Sequence, residues 1–131
     1  MKTTRYFTPE EAKRTLPLVR RIIRDIINSG ETMRSYAASM ESGAEENPEV
    51  QLLAERISSY MTELEEIGCY YKDWNFTVGL VDFPSIIEGK EVMLCWRSDE
   101  EDIRYYHDVN AGYAGRKLIP DEYFLVQPGG S

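Results

Sequence analysis

Apolar or small side chains recur at Ala12, Leu16, Val19, Ile23, Ile26, Gly30, Met33, Ala37 and Met40, in alternating steps of four and three. That spacing holds one stripe on one side of an α-helix, as in a coiled-coil seam. The helix has a defined start: Thr8 stands at the N-cap, Pro9 at the first helical position, and Glu11 where a capping box places its acid. Pro17 lies inside the run and has no amide hydrogen, which predicts a kink or a restart near Leu16. "ESGAEENPE" then supplies a turn with Asn47 as the next cap. A second stripe, Val50, Leu53, Ile57, Tyr60, Leu64 and Ile67, ends at Gly68, a natural helix stop. The pattern predicts an antiparallel helical hairpin over residues 9–67, with helices at 9–40 and 49–67.

The two helices differ in reach. At about 1.5 Å per residue the first spans roughly 48 Å and the second roughly 28 Å, so the partner runs out near residue 22. Leu16, Leu18, Val19 and Ile22 at the front of the first helix then need another cover. The C-terminal module and a second subunit are both expected there, the latter making a homodimeric bundle.

After Gly68 the period changes. "FTVGLVDFP" alternates and ends at a proline, "KEVMLCWR" is rich in β formers, and "EDIRYYH" follows the acidic turn "SDEE". Two or three antiparallel strands are predicted, in a small β module over residues 68–127 with a loose tail at 128–131. A four-residue loop from Ser98 to Glu101 would place Arg97 opposite Asp102, Trp96 opposite Ile103, Leu94 opposite Tyr105 and Val92 opposite His107. His107 would then share the helix-facing side of the sheet, and a slip of one residue would turn it the other way. The fold class is α+β, in a single domain.

Composition narrows the partners. The net charge of -8 over 131 residues opposes binding to a phosphate backbone, so no nucleic acid is expected. Arg20, Arg21 and Arg24 read as a solvated helix face paired with Asp25 and Glu31. No apolar run is long enough to span a bilayer and no signal segment is evident, which makes the cytoplasm the expected compartment with no membrane partner. Cys69 and Cys95 are too few and too distant for a disulfide framework or a zinc knuckle.

The candidate chemistry gathers in the second half: Lys72 and Asp73 in "YYKDWNF", Asp82 in "GLVDFP", the single histidine His107, and Arg116 after Gly112 and Gly115 in "NAGYAGR". An imidazole on an apolar face needs partners for its ring nitrogens, and Asp82, between Val81 and Phe83, has the matching need. A buried Asp82–His107 pair satisfies both. It reads either as a structural salt bridge or as a carboxylate orienting a general base. The Gly112–Gly115 loop and Arg116 could clamp a small anionic ligand. No serine stands in a nucleophile elbow, and the ligand spacing suits no recognised metal motif, so neither a metal nor a cofactor is expected.

With these residues in view, the chain resembles a prokaryotic family known as domain of unknown function 2203. The resemblance is carried by "FTPEEAKRTLPLV", Gly68 and Lys72–Asp73, "GLVDFP" at Gly79 to Pro84, "LCWR" at Leu94 to Arg97, His107, and "GYAGR" at Gly112 to Arg116. Tyr106 stands where the family often has tryptophan, and "SDEE" where a glycine–glutamate turn is common. Membership implies a small soluble protein and supplies no activity. Two functional expectations follow: a non-enzymatic homodimeric interaction or scaffold module, and, as the alternative, a binding protein or enzyme for a small anionic ligand.

Overall fold

The computed structural model describes residues 4–72 and 78–124. Asp73 and the 128–131 tail lie outside the described residues. Helix α1 covers Pro9–Ser39 and α2 Pro48–Ile67, within a residue of the expected boundaries. The capping box is present: the Thr8 hydroxyl accepts from the Glu11 amide at 3.1 Å, and the Glu11 carboxylate accepts from the Thr8 amide at 2.9 Å. This backbone contact holds the Glu11 carboxyl below its ordinary range. Asn47 caps α2 through Glu49 and Val50, and Gly68 closes it in the left-handed conformation at φ 111°. Of the kink or restart expected near Leu16, the restart does not occur. Pro17 faces solvent inside one continuous helix, where the carbonyl it leaves without a helical donor is open to water.

Among the described residues the sheet has five strands instead of two or three: β1 (Tyr70–Tyr71), β2 (Leu80–Ile87), β3 (Lys90–Arg97), β4 (Tyr105–Asp108) and β5 (Lys117–Leu118), all antiparallel and in chain order. The two extra strands are two-residue edges, too short for a periodic signal. β2 also continues past the proline expected to end it. Pro84 pairs with Met93 on one side, while β1 has already stopped at the position of Asp82, so the missing amide hydrogen meets no strand. Instead the Pro84 carbonyl accepts from the Phe7 amide at 2.7 Å, and Ser85 donates to the Phe7 carbonyl at 2.5 Å, tying the start of the chain to β2.

Glu88 and Gly89 both have positive φ, 53° and 76°, and link β2 to β3 in the two-residue turn whose twist suits a hairpin. Val81, Phe83, Val92, Leu94 and Trp96 project from one face onto Leu16, Val19, Ile22, Ile23 and Ile26 of α1, and all ten are buried. Part of the first expectation thus holds: Leu16, Val19 and Ile22 at the front of α1 are covered within the chain, whereas Leu18 stays 48% exposed.

The β3–β4 register departs from expectation by one residue. Cys95 lies opposite Tyr105, Leu94 opposite Tyr106 and Met93 opposite His107. The connection is wider than a four-residue turn because it is fastened internally. The Trp96 indole donates to the Glu100 carbonyl at 3.0 Å, the Glu100 side chain accepts from the Arg97 amide at 2.8 Å, and Ile103 turns into the core. Arg20, read as a solvated residue, reaches this same connection and donates to the Glu101 carbonyl at 2.6 Å. Among the described residues no helix is long and apolar enough to cross a membrane.

Candidate functional site

The one-residue shift moves His107 to the face of the sheet away from the helices. Strand alternation puts Asp82, Cys95 and Tyr105 in one cross-strand row on that face, with Pro84, Met93 and His107 in the next. His107 was expected beneath the helices, beside Leu94 and Trp96; it is instead on the far side of β3 from them. Its burial survives the change. Asp82 is 5% exposed, Cys95 2% and His107 3%.

The imidazole Nε2 and Asp82 Oδ1 are 3.2 Å apart. The other ring nitrogen, Nδ1, is 2.8 Å from the Asp108 carbonyl oxygen, which can only accept, so Nδ1 carries the hydrogen. Nε2 then either carries a second hydrogen and donates it to the carboxylate, as an imidazolium, or presents a lone pair to it. Two acceptors this close require a cation or a proton between them. Both ring nitrogens are engaged, which removes the geometry in which an aspartate orients one nitrogen and leaves the other free to act as a base.

Cys95 completes the group. One ligand atom each from Asp82, Cys95 and His107 lie within 4.8 Å of one another. The Cys95 thiol is pushed up to about 12 by burial, with the Asp82 carboxylate adding to the rise and Arg116 opposing it. These three residues form part of the floor of a cleft of about 270 Å³, with Lys72, Leu80, Val109, Gly112 and Tyr113 also lining it. A second cleft of about 330 Å³, along Tyr6, Tyr70, Pro84 and Met93, shares Lys72 and Val109 with the first.

Arg116 is not among the cleft-lining residues. Its guanidinium is stacked between Tyr105 and Tyr113, 4.0 Å and 4.6 Å from the ring centroids, and pairs with Glu100. Burial works against its charge, but the Glu100 hydrogen bond and the nearby Cys95, Glu100 and Tyr113 groups push its pKa up. Gly112 lines the cleft, whereas the Gly115 and Arg116 amides close short turns onto the Gly112 and Tyr113 carbonyls. Those two donors are thus already engaged. Lys72 is exposed at the rim.

A family model described as an uncharacterized conserved protein, DUF2203, matches residues 5–119. The chain belongs to the DUF2203 family. No curated protein and no solved structure matches it. The DUF2203 match spans every residue of the Asp82–Cys95–His107 group and the Arg116 stack.

Of the residues singled out from the sequence, Asp82 and His107 meet, Lys72 and Gly112 share their cleft, and Arg116 stands behind it. Cys95 and Glu100 were missed. Counting would have found Cys95: a two-residue turn at Glu88 and Gly89 forces Asp82 opposite Cys95. Glu100 offers no comparable signal, because its role depends on the folded connection.

Proposed function

We propose that this DUF2203 protein binds a small anionic molecule in the cleft on the face of the sheet opposite α1, as a binding protein or an enzyme, with Asp82, Cys95 and His107 as the reactive floor. One observation carries the reading. Three side chains of high chemical potency, from three adjacent strands, are almost wholly buried at the base of an open depression. Burying a carboxylate and an imidazole is unfavourable compared with apolar packing, and such groups gathered in a cleft mark functional sites. Lys72 at the rim favours an anionic ligand group.

The homodimeric scaffold, as the other reading, rested on an uncovered front of α1. Leu16, Val19 and Ile22 are covered within the chain, which leaves only Leu18 of that front, 48% exposed, open to a second subunit, so the cleft offers the stronger support.

The test is a thermal-shift panel of carboxylates and phosphorylated metabolites. A ligand at 100 times its Kd adds about 2.7 kcal/mol to the native state, which raises Tm by about 10 °C for a chain of this size. The expected hit loses most of its shift in Lys72→Ala. A flat response across the panel, or a hit indifferent to Lys72→Ala, overturns the proposal.

A further inference from the structure

We infer that Asp82, Cys95 and His107 hold a divalent d-block metal ion of the zinc class, through a carboxylate oxygen, the thiolate sulfur and imidazole Nε2, with a fourth position open to the cleft. The inference rests on the cleft being the functional site, and it names what the floor of that site is for.

Four features of the geometry lead to it. First, Nε2 and Oδ1 face each other at 3.2 Å, and because Nδ1 holds the hydrogen of the neutral ring, Nε2 is the nitrogen free to ligate. Tetrahedral zinc with bonds of about 2.0 Å to nitrogen and oxygen sets these two atoms about 3.3 Å apart, so the edge of the polyhedron already exists. Second, the sulfur is within 4.8 Å of both atoms, against about 3.5 Å in a tetrahedral shell with bonds of about 2.3 Å to sulfur and 2.0 Å to nitrogen or oxygen, so binding would draw it in by at most about 1.3 Å. Third, Nδ1 donates to the Asp108 carbonyl at 2.8 Å. A metal-bound histidine needs that outer contact, because it fixes the tautomer and points Nε2 at the ion. Fourth, the charges balance. Carboxylate and thiolate carry two negative charges against the ion's two positive ones, which a buried site requires.

The thiol's raised pKa does not oppose this. A bound cation stabilises the thiolate directly, and a coordinating cysteine loses its proton on binding. Arg116 is the nearby like charge, and its pairing with Glu100 screens it from the ion. The mixed nitrogen, sulfur and oxygen set selects zinc, cobalt or nickel over magnesium and calcium, which take oxygen ligands. Three protein ligands with the fourth position facing a cleft is the open arrangement, in which an anion or water completes the shell. An ion there would also draw the anionic end of a cleft ligand toward the floor.

The experiment is a cobalt(II) titration of the full chain after dialysis against a chelator. Saturation at one ion per chain is expected, with a near-ultraviolet thiolate-to-cobalt absorption and the intense visible bands of a four-coordinate site. Zinc should displace the cobalt, and magnesium should not. Cys95→Ser removes the charge-transfer band, while Cys69→Ser, buried in the core behind the sheet, leaves it intact. Asp82→Asn, which keeps the side-chain shape, weakens affinity at least about tenfold and gives a second variant should Cys95→Ser not fold. A titration without saturation, cobalt binding without the charge-transfer band, or a band that survives Cys95→Ser in folded protein overturns the inference. If anions stabilise the metal-free chain while cobalt does not bind, the metal falls and the cleft reading stands. If cobalt binds and every anion is silent, the metal stands and the anionic-ligand reading falls.

Discussion

Asp82→Ala and Asp82→Asn remove the same negative charge but leave different atoms facing His107, and the difference in their stabilities measures what the buried pair requires. In the native chain the Asp82 and His107 side chains are 8% and 4% exposed, so water cannot replace a lost partner. Asp82→Ala leaves Nε2 buried with no hydrogen-bond partner. An unmet buried group costs about 1–3 kcal/mol, and its near-complete enclosure puts this one at the upper end, about 3 kcal/mol. Asp82→Asn brings its own amide hydrogens. One can donate to Nε2 while Nδ1 keeps its bond to the Asp108 carbonyl, so a loss of only about 1 kcal/mol is expected. Unfolding entropy of about 2.1 cal/mol/K per residue gives about 0.28 kcal/mol/K for the whole chain. The alanine variant should therefore melt about 11 °C below the native protein and the asparagine variant about 4 °C below. Urea unfolding of metal-free protein at neutral pH, with unchanged m, supplies the free energies. Equal losses in the two variants would refute the direct Asp82–His107 contact as their source.

Gly79→Ala would put a Cβ 2.3 Å from Ile23 Cγ2 and 3.0 Å from Ser98 Cβ, where a rigid β-branched side chain cannot give way. A loss of about 1–3 kcal/mol in urea unfolding is expected, and an unchanged midpoint would disprove the close packing of β2 on α1. Burial pushes the Cys69 thiol from an ordinary 9.0 up to about 12, so above pH 9 the unfolded chain releases a proton that the folded chain keeps. Stability then falls with rising pH between 9 and about 12, by up to about 1.4 kcal/mol per pH unit from this one group, and is unaffected by it below 9. Cys69→Ala should flatten the alkaline limb of a stability–pH curve, and parallel limbs in the two proteins would rule out the buried thiol as its source.

The helical half was legible because its signals are local. Thr8, Pro9 and Glu11 form their cap within four residues, and the stripe from Ala12 to Met40 needs no knowledge of any partner. The sheet was legible only where strands are long enough to alternate. Tyr70–Tyr71 and Lys117–Leu118 are strands by virtue of neighbours at positions 81–82 and 105–106, which two residues of sequence cannot announce. Pro84 misled in the same way. Proline ends a strand whose two edges are both paired, but whether its edge is open depends on where β1 stops.

The site shows how a wrong register can still yield the right pair. Asp82 and His107 were matched by their shared need for a partner, an argument that holds on either face of the sheet, whereas the face itself was inferred from a turn length that Glu100 and Ile103 change. On the helix-facing side the pair would have been a cross-brace in an apolar core, which is a structural role. On the opposite side the same burial has a different meaning. A sheet with helices on one face is free to leave the other open to water, and Tyr70, Ile86 and Leu118 there are 37%, 50% and 67% exposed. Against that open background, the near-complete burial of an acid, a thiol and an imidazole is local. It arises where Lys72, Val109 and Tyr113 rise around one cleft. Stability alone does not require polar groups to be buried at that spot, since Cys95 and His107 could be apolar residues of similar volume with less desolvation. Their convergence is therefore better explained by what enters the cleft than by what holds the sheet together.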